Sequence, residues 1–363
     1  MNDKVLKIGI IGCGGIANGK HMPALSKVDD VEMVAFCDIV VERAQEAAEK
    51  FGTPDAKVYE DYKELLKDES IDIVHVCTPN RSHSFITIDS LEAGKHVMCE
   101  KPMAKTYEDA KAMCEAAKRT GKKLSIGYQN RQTDENLYVK QCAENGEFGE
   151  IYYGKALAIR RRAVPTWGVF LNEYEQGGGP LIDIGTHALD MTLWVMDNYE
   201  PEMVVGQTFR KLADQTEQGN DWGPWDPEKF TVEDSAFGFI KMKNGAVINL
   251  ESSWALNIAE PNEACYMICG DKGGADTLNG EARLNYIKNQ RQCIEKPNLD
   301  AGGAAFFEGQ KSGSPAEVEA SRWIHAIRTD TDPVVLPEQA LVVTRILEAI
   351  YESAKKGKPV YFD

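Results

Sequence analysis

The sequence predicts an α/β fold in two domains: a doubly wound parallel sheet, then an α+β domain with a large, open and mostly antiparallel sheet. Over residues 1–125, short apolar runs alternate with amphipathic helical patterns, as in parallel sheets. From about residue 151, long stretches alternate apolar and polar residues, which is typical of antiparallel strands. We therefore predict domains at residues 1–125 and 126–363, with the final residues able to pack back on the first domain.

The first domain contains five predicted strands separated by helical patterns. The strands are apolar and rich in β-branched residues, which suits a buried parallel sheet. They span residues 8–11, 31–37, 71–77, 96–99 and 124–127, and the clearest helical patterns span residues 42–51 and 107–119.

The turn after the first strand reads Gly-Cys-Gly-Gly-Ile-Ala, the alanine form of the dinucleotide-binding fingerprint. Gly12 permits a sharp turn, and Gly14 lets the backbone approach a pyrophosphate. Ala17 lets the following helix pack close to the strand, while Gly15 and Ile16 complete the turn. The N–H groups and the positive dipole at the helix start attract phosphates. The turn therefore predicts a Rossmann domain.

Asp38 ends the second strand, 21 residues after Ala17, where a carboxylate accepts a hydrogen bond from the adenosine ribose. The next three residues are apolar, and a carboxylate repels a 2′-phosphate, so NAD is favoured over NADP. Arg43 is near enough in sequence to leave NADP open. A dinucleotide-binding site is favoured over a glycine-rich turn in an unrelated α/β domain, because the strand, the glycine turn, the helix and Asp38 occur together.

Two other strand ends carry polar residues. Thr-Pro-Asn at residues 78–80 follows the third strand, with His83 soon after, and Glu-Lys-Pro at residues 100–102 follows the fourth. Open α/β sheets bind ligands beyond the carboxyl ends of their strands, so both segments are expected to border the cofactor. A proline turn with an asparagine cap and a solvated surface lysine are the alternatives.

The second domain contains five alternating stretches, at residues 151–162, 202–208, 235–240, 246–254 and 264–269. Two long polar loops interrupt them, at residues 213–230 with Trp222 and Trp225, and at residues 298–314 with Phe306 and Phe307. Loops of this length are usually functional or disordered. A closing helix is predicted at residues 337–356, and a short strand at residues 359–362.

A helix is predicted from the Gly-Gly-Gly-Pro sequence at residues 177–180 to about Met196, because proline suits the first helical position. Apolar residues occupy nearly every side of this helix, so it should be buried. Asp183 and His187 are four residues apart and lie on one side. Buried charges are costly unless they are paired or used, so this pair is a functional candidate.

Three interpretations of the Asp183–His187 pair are open. Asp183 could bond the helix start while His187 is a satisfied core imidazole. The pair could bind a metal, but no third and fourth ligands are evident, so no metal site is predicted. His187 could also be a general base oriented by Asp183, since histidine titrates near neutral pH. The dinucleotide fingerprint on the same chain favours the general base.

The glycine turn, Glu-Lys-Pro and Gly-Gly-Gly-Pro-x-x-Asp-x-x-x-His together resemble the Gfo/Idh/MocA oxidoreductases over the whole chain. The resemblance implies an amino-terminal Rossmann domain and a carboxyl-terminal α+β domain with an open sheet. It implies catalytic roles for Lys101, Asp183 and His187. Its implied cofactor contacts are Asp38 at the ribose, the loop of Thr78, Pro79, Asn80 and His83 beside the nicotinamide, and Glu100, Lys101 and Gln129.

The activity implied by the resemblance is hydride transfer between NAD and a sugar, cyclitol or glycoside carbon. His187 takes the hydroxyl proton, Lys101 stabilises the alkoxide as a cation, and Asp183 orients His187 or holds a neighbouring hydroxyl. The alternative is tightly bound NAD, used transiently in a redox-neutral glycoside-processing or internal oxidoreductase reaction. A non-catalytic sensor is disfavoured because all three residues are present. A Schiff-base role for Lys101 is disfavoured as well.

Substrate contacts are predicted in the segment that begins with three arginines. In a strand, Arg160 and Arg162 would point to one side and Arg161 to the other, which makes Arg160 a candidate substrate contact. A charged strand surface is the alternative. Trp167 could stack on a sugar, cover the nicotinamide as a cofactor contact, or fill the core. With the loop of Trp222, this segment suggests bulkier glycosides, including 3-keto sugar formation.

Bulk composition restricts the partners. The formal net charge of −16 over 363 residues argues against nucleic acid and anionic membranes. No apolar run approaches membrane-spanning length, and the polar amino terminus predicts no secretion signal. The nine cysteines include no C-x-x-C pair, so reduced thiols in a cytoplasmic protein are expected. The expected partners are a small carbohydrate-like substrate and further copies of the chain, in a dimer or larger homo-oligomer.

Overall fold

The computed structural model describes residues 4–215, 217–299 and 313–362. They form two compact units, one within residues 4–129 and 313–341 and one within residues 130–299 and 342–362. The predicted boundary at residue 125 lies close to this division. Residues 313–341 group with the first unit, whereas the prediction placed them in the second domain. Phe306 and Phe307 of the predicted second loop lie outside the described residues.

The strands of the described residues have the following bounds: β1 (Leu6–Ile11), β2 (Val31–Cys37), β3 (Lys57–Tyr59), β4 (Ile73–Val76), β5 (His96–Cys99), β6 (Leu124–Ile126), β7 (Ile151–Ile159), β8 (Pro201–Phe209), β9 (Ser235–Met242), β10 (Val247–Ser253), β11 (Asn262–Gly270), β12 (Gly273–Asp276), β13 (Arg283–Lys288), β14 (Arg291–Glu295) and β15 (Val360–Tyr361).

The α-helices are α1 (Met22–Leu25), α2 (Val41–Phe51), α3 (Tyr62–Leu66), α4 (His83–Glu92), α5 (Tyr107–Thr120), α6 (Asp134–Glu144), α7 (Glu173–Gln176), α8 (Thr186–Met196), α9 (Pro315–Thr329) and α10 (Pro337–Lys356). Two π-helical turns, Ala17–His21 and Leu181–Gly185, precede α1 and α8. Short 3₁₀ helices occur at Asn80–Ser82, Gln129–Gln132 and Leu278–Gly280.

The first unit is built on a six-stranded parallel sheet in the order β3-β2-β1-β4-β5-β6. Its strand order reverses between β1 and β4, which is where ligands bind in Rossmann folds, beyond the carboxyl ends of the strands. The predicted doubly wound sheet is confirmed. The prediction omits β3, because three partly exposed residues carry too short a pattern.

Helix α9 completes the core of the first unit, although it comes late in the chain. Its residues Ala320, Trp323 and Ile324 are buried in one apolar cluster with Ile8 of β1 and Met22 of α1. The amphipathic pattern of α9 predicts a buried face, but it cannot indicate which domain covers that face.

The second unit contains a nine-stranded sheet in the order β14-β13-β12-β11-β7-β10-β9-β8-β15. β7 and β10 are parallel, and the other adjacent pairs are antiparallel. The predicted open, mostly antiparallel sheet is confirmed. The final strand pairs with β8, with Val360 opposite Val204. The last described residues therefore extend the sheet of the second unit.

Helix α10 covers one face of β8 and β9. Gly206 and Gly238 are paired across these strands, and a Cβ at either would lie within 2.7 Å of Ile350. On the alternating positions, Val205 and Phe239 are also paired, and each is 36% exposed. The glycines therefore let α10 approach one face, while apolar side chains remain exposed on the other.

Candidate functional site

The glycine turn has the conformation that the fingerprint requires. Gly12 has a φ of +91°, and a Cβ there would lie 2.7 Å from the carbonyl carbon and oxygen of Cys77, so a larger residue does not fit. Ala17 is fully buried in the apolar cluster of the first unit. Its small side chain lets the helix approach the sheet closely.

The start of this helix offers hydrogen-bond donors and has open space beside them. The chain is helical from Gly15, and a Cβ on Gly14 or Gly15 would meet no atom within 4 Å. Ile16 is 42% exposed at the same turn. Because the first turn of a helix has no intrahelical acceptors for its N–H groups, those groups can bind an anion. The turn therefore fits a pyrophosphate.

Asp38 connects the end of β2 to the glycine turn. Its Oδ2 accepts from the backbone N–H of Cys13 at 2.9 Å, and its Oδ1 accepts from that of Val40 at 2.9 Å. Each carboxylate oxygen has a second lone pair, which can accept a ribose hydroxyl. The neighbouring Ile39 is 87% exposed and offers an apolar surface for an adenine. Arg43 is also exposed. These residues fit NAD.

His83 braces two turns of the first unit. Its Nδ1 lies 2.8 Å from the carbonyl oxygen of Pro102, and its Nε2 lies 2.8 Å from that of Thr78. Burial lowers the pKa of His83, while the two carbonyls favour its protonated form. Because both ring nitrogens contact the backbone, His83 positions the turns after β4 and β5. A contact of His83 with the cofactor stays a prediction.

Lys101 is partly exposed and follows a buried glutamate in the turn after β5. Its backbone N–H donates to Oε2 of Glu100 at 3.0 Å. Oε1 of Glu100 lies 2.7 Å from both Lys20 Nζ and His21 Nε2. Burial raises the pKa of Glu100, but these two partners outweigh that effect and hold the pKa well below its ordinary value. Glu100 is therefore an anion that holds the backbone before Lys101.

The remaining cofactor candidates also lie at strand ends of the first unit. Thr78 and Asn80 are partly exposed and Pro79 is exposed in the turn after β4. Gln129 is partly exposed after β6. Parallel strands end at one edge of a sheet, so β1, β4, β5 and β6 present these residues at a common edge.

In the second unit, the predicted helix is present and buried. It begins as the π-helical turn Leu181–Gly185 and continues as α8. From residue 181 to residue 196, Asp183 and His187 are partly exposed and every other residue is buried. Nε1 of Trp254 donates to Oδ2 of Asp183 at 3.0 Å. The helix therefore presents one carboxylate and one imidazole, with the carboxylate fixed by an indole.

The three glycines before this helix are required for different reasons. Gly177 has a φ of +86° and ends α7. A Cβ on Gly178 would lie 2.0 Å from the hydroxyl of Tyr351, and one on Gly179 would lie 2.2 Å from the carbonyl oxygen of Glu233. The glycine run therefore lets Glu233 and Tyr351 approach the start of the helix.

Glu233 accepts the hydrogen bonds at this helix start. Its Oε2 accepts from the N–H of Gly179 at 2.8 Å, and its Oε1 accepts from the N–H of Leu181 at 3.1 Å and from the Tyr351 hydroxyl at 2.8 Å. Burial raises the pKa of Glu233 to about 7, against the lowering effect of the three donors. Glu233 thus caps the helix that carries Asp183 and His187.

Asp190, the acidic residue of α8, has a structural partner. Nε and Nη2 of Arg131 donate to its two carboxylate oxygens at 2.9 and 2.6 Å, and both side chains are buried. The Arg131 guanidinium also lies 5.4 Å from the ring centroid of Trp194. This bidentate pair satisfies the charge of Asp190, so Asp190 is separate from the candidate site.

The prediction for Arg160 needs correction. Strand β7 ends at Ile159, because the chain turns and the N–H of Ala163 donates to the carbonyl of Trp254 at 2.9 Å. Arg160 therefore lies outside the strand, and the alternation of side chains does not apply. Its Nε donates to Glu263 Oε2 at 2.6 Å, and its Nη2 also contacts that carboxylate. Arg160 therefore has a carboxylate partner, and its contact with a substrate stays a prediction.

Trp167 lies on the surface of the second unit. It is 52% exposed, which contradicts the interpretation that it fills the core. Its ring centroid lies 4.9 Å from that of Trp222 and 5.9 Å from that of Phe170. The interpretations that remain for Trp167 are contacts with a sugar or with the cofactor.

Sequence reasoning missed three supporting residues, Glu233, Trp254 and Lys20. Glu233 follows a long loop and carries no spacing relative to residue 177, so its role as a cap has no local signal. Trp254 ends a predicted strand and reads as core. Lys20 lies in the predicted first helix, next to Asn18, Gly19 and His21, so nothing nearby in the sequence indicates that it is buried. Across residues 4–215, 217–299 and 313–362, no cluster of three metal-ligating side chains occurs, and no helix is long and apolar enough to cross a bilayer.

The sheet order and glycine turn define a dinucleotide-binding domain, and the accessible imidazole and carboxylate are the groups that acid–base chemistry on an alcohol requires. The class is therefore a dinucleotide-dependent oxidoreductase. Residues 6–128 match the oxidoreductase family with NAD-binding Rossmann fold, and residues 140–362 match the C-terminal α/β domain of that family. The chain belongs to the Gfo/Idh/MocA family, and it is an NAD-binding oxidoreductase.

Two relatives of known name are similar in sequence. D-glucoside 3-dehydrogenase of Escherichia coli K12 is 37% identical over 368 residues, which cover 99% of this chain and 98% of the relative. Glucose-6-phosphate 3-dehydrogenase of Bacillus subtilis is 31% identical over 252 residues, which cover 68% and 67%.

Two solved structures are similar in fold. Aldose-aldose oxidoreductase from Caulobacter crescentus, complexed with glycerol, has a TM-score of 0.80 and 25% identity, with 99% of this chain and 100% of that chain covered. An oxidoreductase domain protein from Kribbella flavida has a TM-score of 0.85 and 22% identity, with the same coverage. Both support the fold described above.

We expect Gly14→Ala to weaken NAD binding without affecting folding. The added methyl group meets no protein atom within 4 Å, but it would occupy space that a pyrophosphate needs. Gly19→Ala is a matched control, because Gly19 lies in the same helix and also faces open space. NADH fluorescence titration should give a dissociation constant at least tenfold higher, on the order of 1.4 kcal/mol, for Gly14→Ala alone. Equal dissociation constants for the two variants would contradict the assignment.

We expect Glu233 to make stability fall as the pH rises between 4.5 and 7. In this window Glu233 is protonated in the folded chain and ionised in the unfolded chain, so folding takes up a proton. Urea denaturation at several pH values should show that the unfolding free energy of the wild type falls relative to that of Glu233→Gln over this window, by about 3 kcal/mol at most. The exposed Glu228→Gln is the control and should keep the slope. An unchanged slope in Glu233→Gln would contradict the assigned pKa.

Proposed function

We propose that the chain is an NAD-dependent dehydrogenase that oxidises the hydroxyl at carbon 3 of a D-glucoside. The observation that carries this proposal is the buried helix whose partly exposed side chains are Asp183 and His187. The full-length similarity to D-glucoside 3-dehydrogenase supports the glucoside and the position of oxidation. Other sugars and cyclitols are the wider substrate class.

His187 is the general base of the proposed reaction. It takes the proton of the reacting hydroxyl on a ring nitrogen, which suits a group that titrates near neutral pH. Asp183 orients the imidazole or accepts a neighbouring hydroxyl of the sugar. Its carboxylate is restrained by the bond from Trp254, so little reorganisation is needed when substrate binds. NAD supplies the hydride acceptor when it is bound.

Lys101 is the proposed electrostatic partner of the reacting oxygen. As a cation it stabilises the alkoxide that forms when the proton leaves. The buried Glu100 holds the backbone N–H of Lys101, which supports a fixed position for the start of its side chain. In the reverse direction, ketone reduction, the same groups act in the opposite sense.

We further propose a preference for NAD over NADP. Asp38 places a carboxylate beside the glycine turn, where it repels a 2′-phosphate and accepts ribose hydroxyls. Arg43 is exposed and is the residue that could offset this preference. Comparing kcat/KM for the two cofactors measures it, and equal values would contradict the role given to Asp38.

We expect His187→Ala and Lys101→Met each to fold and bind NADH while losing activity. Removal of a general base should reduce kcat about 10²–10⁴-fold, and removal of the cation should reduce it about 10²–10³-fold. Lys105→Met is a matched control, because Lys105 is another partly exposed lysine of the first unit. NADH formation with methyl glucosides measures the rates, and identification of the keto sugar fixes the carbon. Near-normal kcat in either variant would refute its assigned role.

A second candidate function keeps NAD bound and uses it transiently in a redox-neutral reaction. The structural similarity to an aldose-aldose oxidoreductase at 25% identity favours considering it. Mass spectrometry of the purified protein should then show stoichiometric NAD, and turnover should need no added cofactor. Strict dependence on added NAD would exclude this candidate.

We propose that the chain self-associates through the exposed face of its large sheet and works in the cytoplasm. Val205, Phe209 and Phe239 expose apolar side chains on β8 and β9, a surface that a second copy would bury. The nine cysteines are free thiols, consistent with a reducing compartment. Sedimentation equilibrium tests the association, and a monomer at micromolar concentration would contradict it.

A further inference from the structure

Two exposed tryptophans form a corner on the surface of the second unit. Trp167 is 52% exposed and Trp222 is 43% exposed, and their rings meet edge to face at an angle of 70° with centroids 4.9 Å apart. Phe170 packs against Trp167 at 5.9 Å. Large aromatic side chains are rarely left this exposed in pairs, and such surfaces mark binding sites.

Hydrogen bonds hold this corner in a defined shape. Asn220 accepts from the N–H of Val164 at 2.8 Å and donates to its carbonyl at 3.0 Å, which joins the two loops that carry the tryptophans. The Thr166 hydroxyl donates to the carbonyl of Trp222 at 2.8 Å. Both tryptophans are therefore fixed before any ligand binds, so little ordering entropy is lost on binding.

The arginine that contacts this corner is already paired with a carboxylate. The Arg160 guanidinium lies 5.0 Å from the ring centroid of Trp222, and it is paired with Glu263. The guanidinium stiffens the indole through a cation–π contact without offering a free cation to an anionic ligand. What the corner itself presents is therefore two aromatic faces, which suit an uncharged ring.

Hydrogen bonds of Trp254 connect the loop that carries Trp167 to Asp183, the proposed catalytic carboxylate. Trp254 donates to Asp183 through Nε1, and its carbonyl accepts from Ala163, at the start of the loop that carries Trp167. Two residues after Trp254, the N–H of Leu256 donates to the carbonyl of Arg160 at 3.1 Å. One short stretch of chain therefore positions both Asp183 and the aromatic corner.

We propose that Trp167 and Trp222 form a subsite for the ring that a glycoside carries beyond its reacting sugar. The ligand is an uncharged ring, either an aryl group or a second sugar, that stacks on one indole and contacts the edge of the other. This inference rests on the proposed function, because the reacting sugar must lie at Asp183 and His187. It assigns substrate selection to residues outside the acid–base pair.

Kinetics with a pair of glycosides tests the subsite. In Trp222→Ala, the ratio of kcat/KM for phenyl glucoside to that for methyl glucoside should fall about tenfold, because one stacking contact is lost. The fall should come from a higher KM for phenyl glucoside. Trp222→Phe should retain most of the ratio and shows that the effect depends on an aromatic face. Tyr361→Ala removes another exposed aromatic residue of this unit, on β15, and should leave the ratio unchanged.

Calorimetric binding to the His187→Ala protein provides a second measurement that needs no turnover. Phenyl glucoside should bind this protein, with NADH present, about tenfold more tightly than it binds the His187→Ala/Trp222→Ala protein. Equal affinities, or an unchanged kinetic ratio in Trp222→Ala, would overturn the subsite. A change in oligomeric state without a change in either measurement would overturn it as well and would assign the corner to a second copy of the chain. Full activity in His187→Ala would instead refute the proposed function.

Discussion

The buried carboxylate of Glu233 is the contact on which the candidate site depends most. The start of a buried helix presents N–H groups that need acceptors, and Glu233 accepts two of them while Tyr351 donates to the same carboxylate. This close approach excludes side chains at Gly178 and Gly179. The glycine run is therefore a packing requirement, and it helps to fix the helix that carries Asp183 and His187.

The first unit also contains a buried charged residue with a supporting role, the cation Lys20. Lys20 lies 2.7 Å from Glu100 and 2.9 Å from Glu319 of α9. Burial lowers the pKa of Lys20, but the two carboxylates outweigh that effect and raise it. Removing one partner would leave an uncompensated buried charge, which is far more costly than the pair itself. A helix late in the chain thus supports the glutamate that precedes Lys101.

Local features of the sequence were predictable and long-range ones were not. Spacing alone indicates the roles of Gly12, Ala17 and Asp38, and the observed turn agrees with that spacing. The helix after Pro180 was predictable because its apolar residues surround it on all sides. The packing of α9 and the cap by Glu233 depend on contacts between distant segments, which no periodicity encodes. The predicted strand ran past the end of β7 to residue 162, because a strand pattern does not show where the backbone turns.

A structure of the chain with NAD and a D-glucoside bound tests the central claim most directly, because it locates the reacting hydroxyl. We expect the hydroxyl oxygen on carbon 3 to lie about 3 Å from a ring nitrogen of His187 and from Nζ of Lys101. A carbon 3 hydroxyl held by other side chains, with both of these groups well beyond hydrogen-bond distance, would contradict the account.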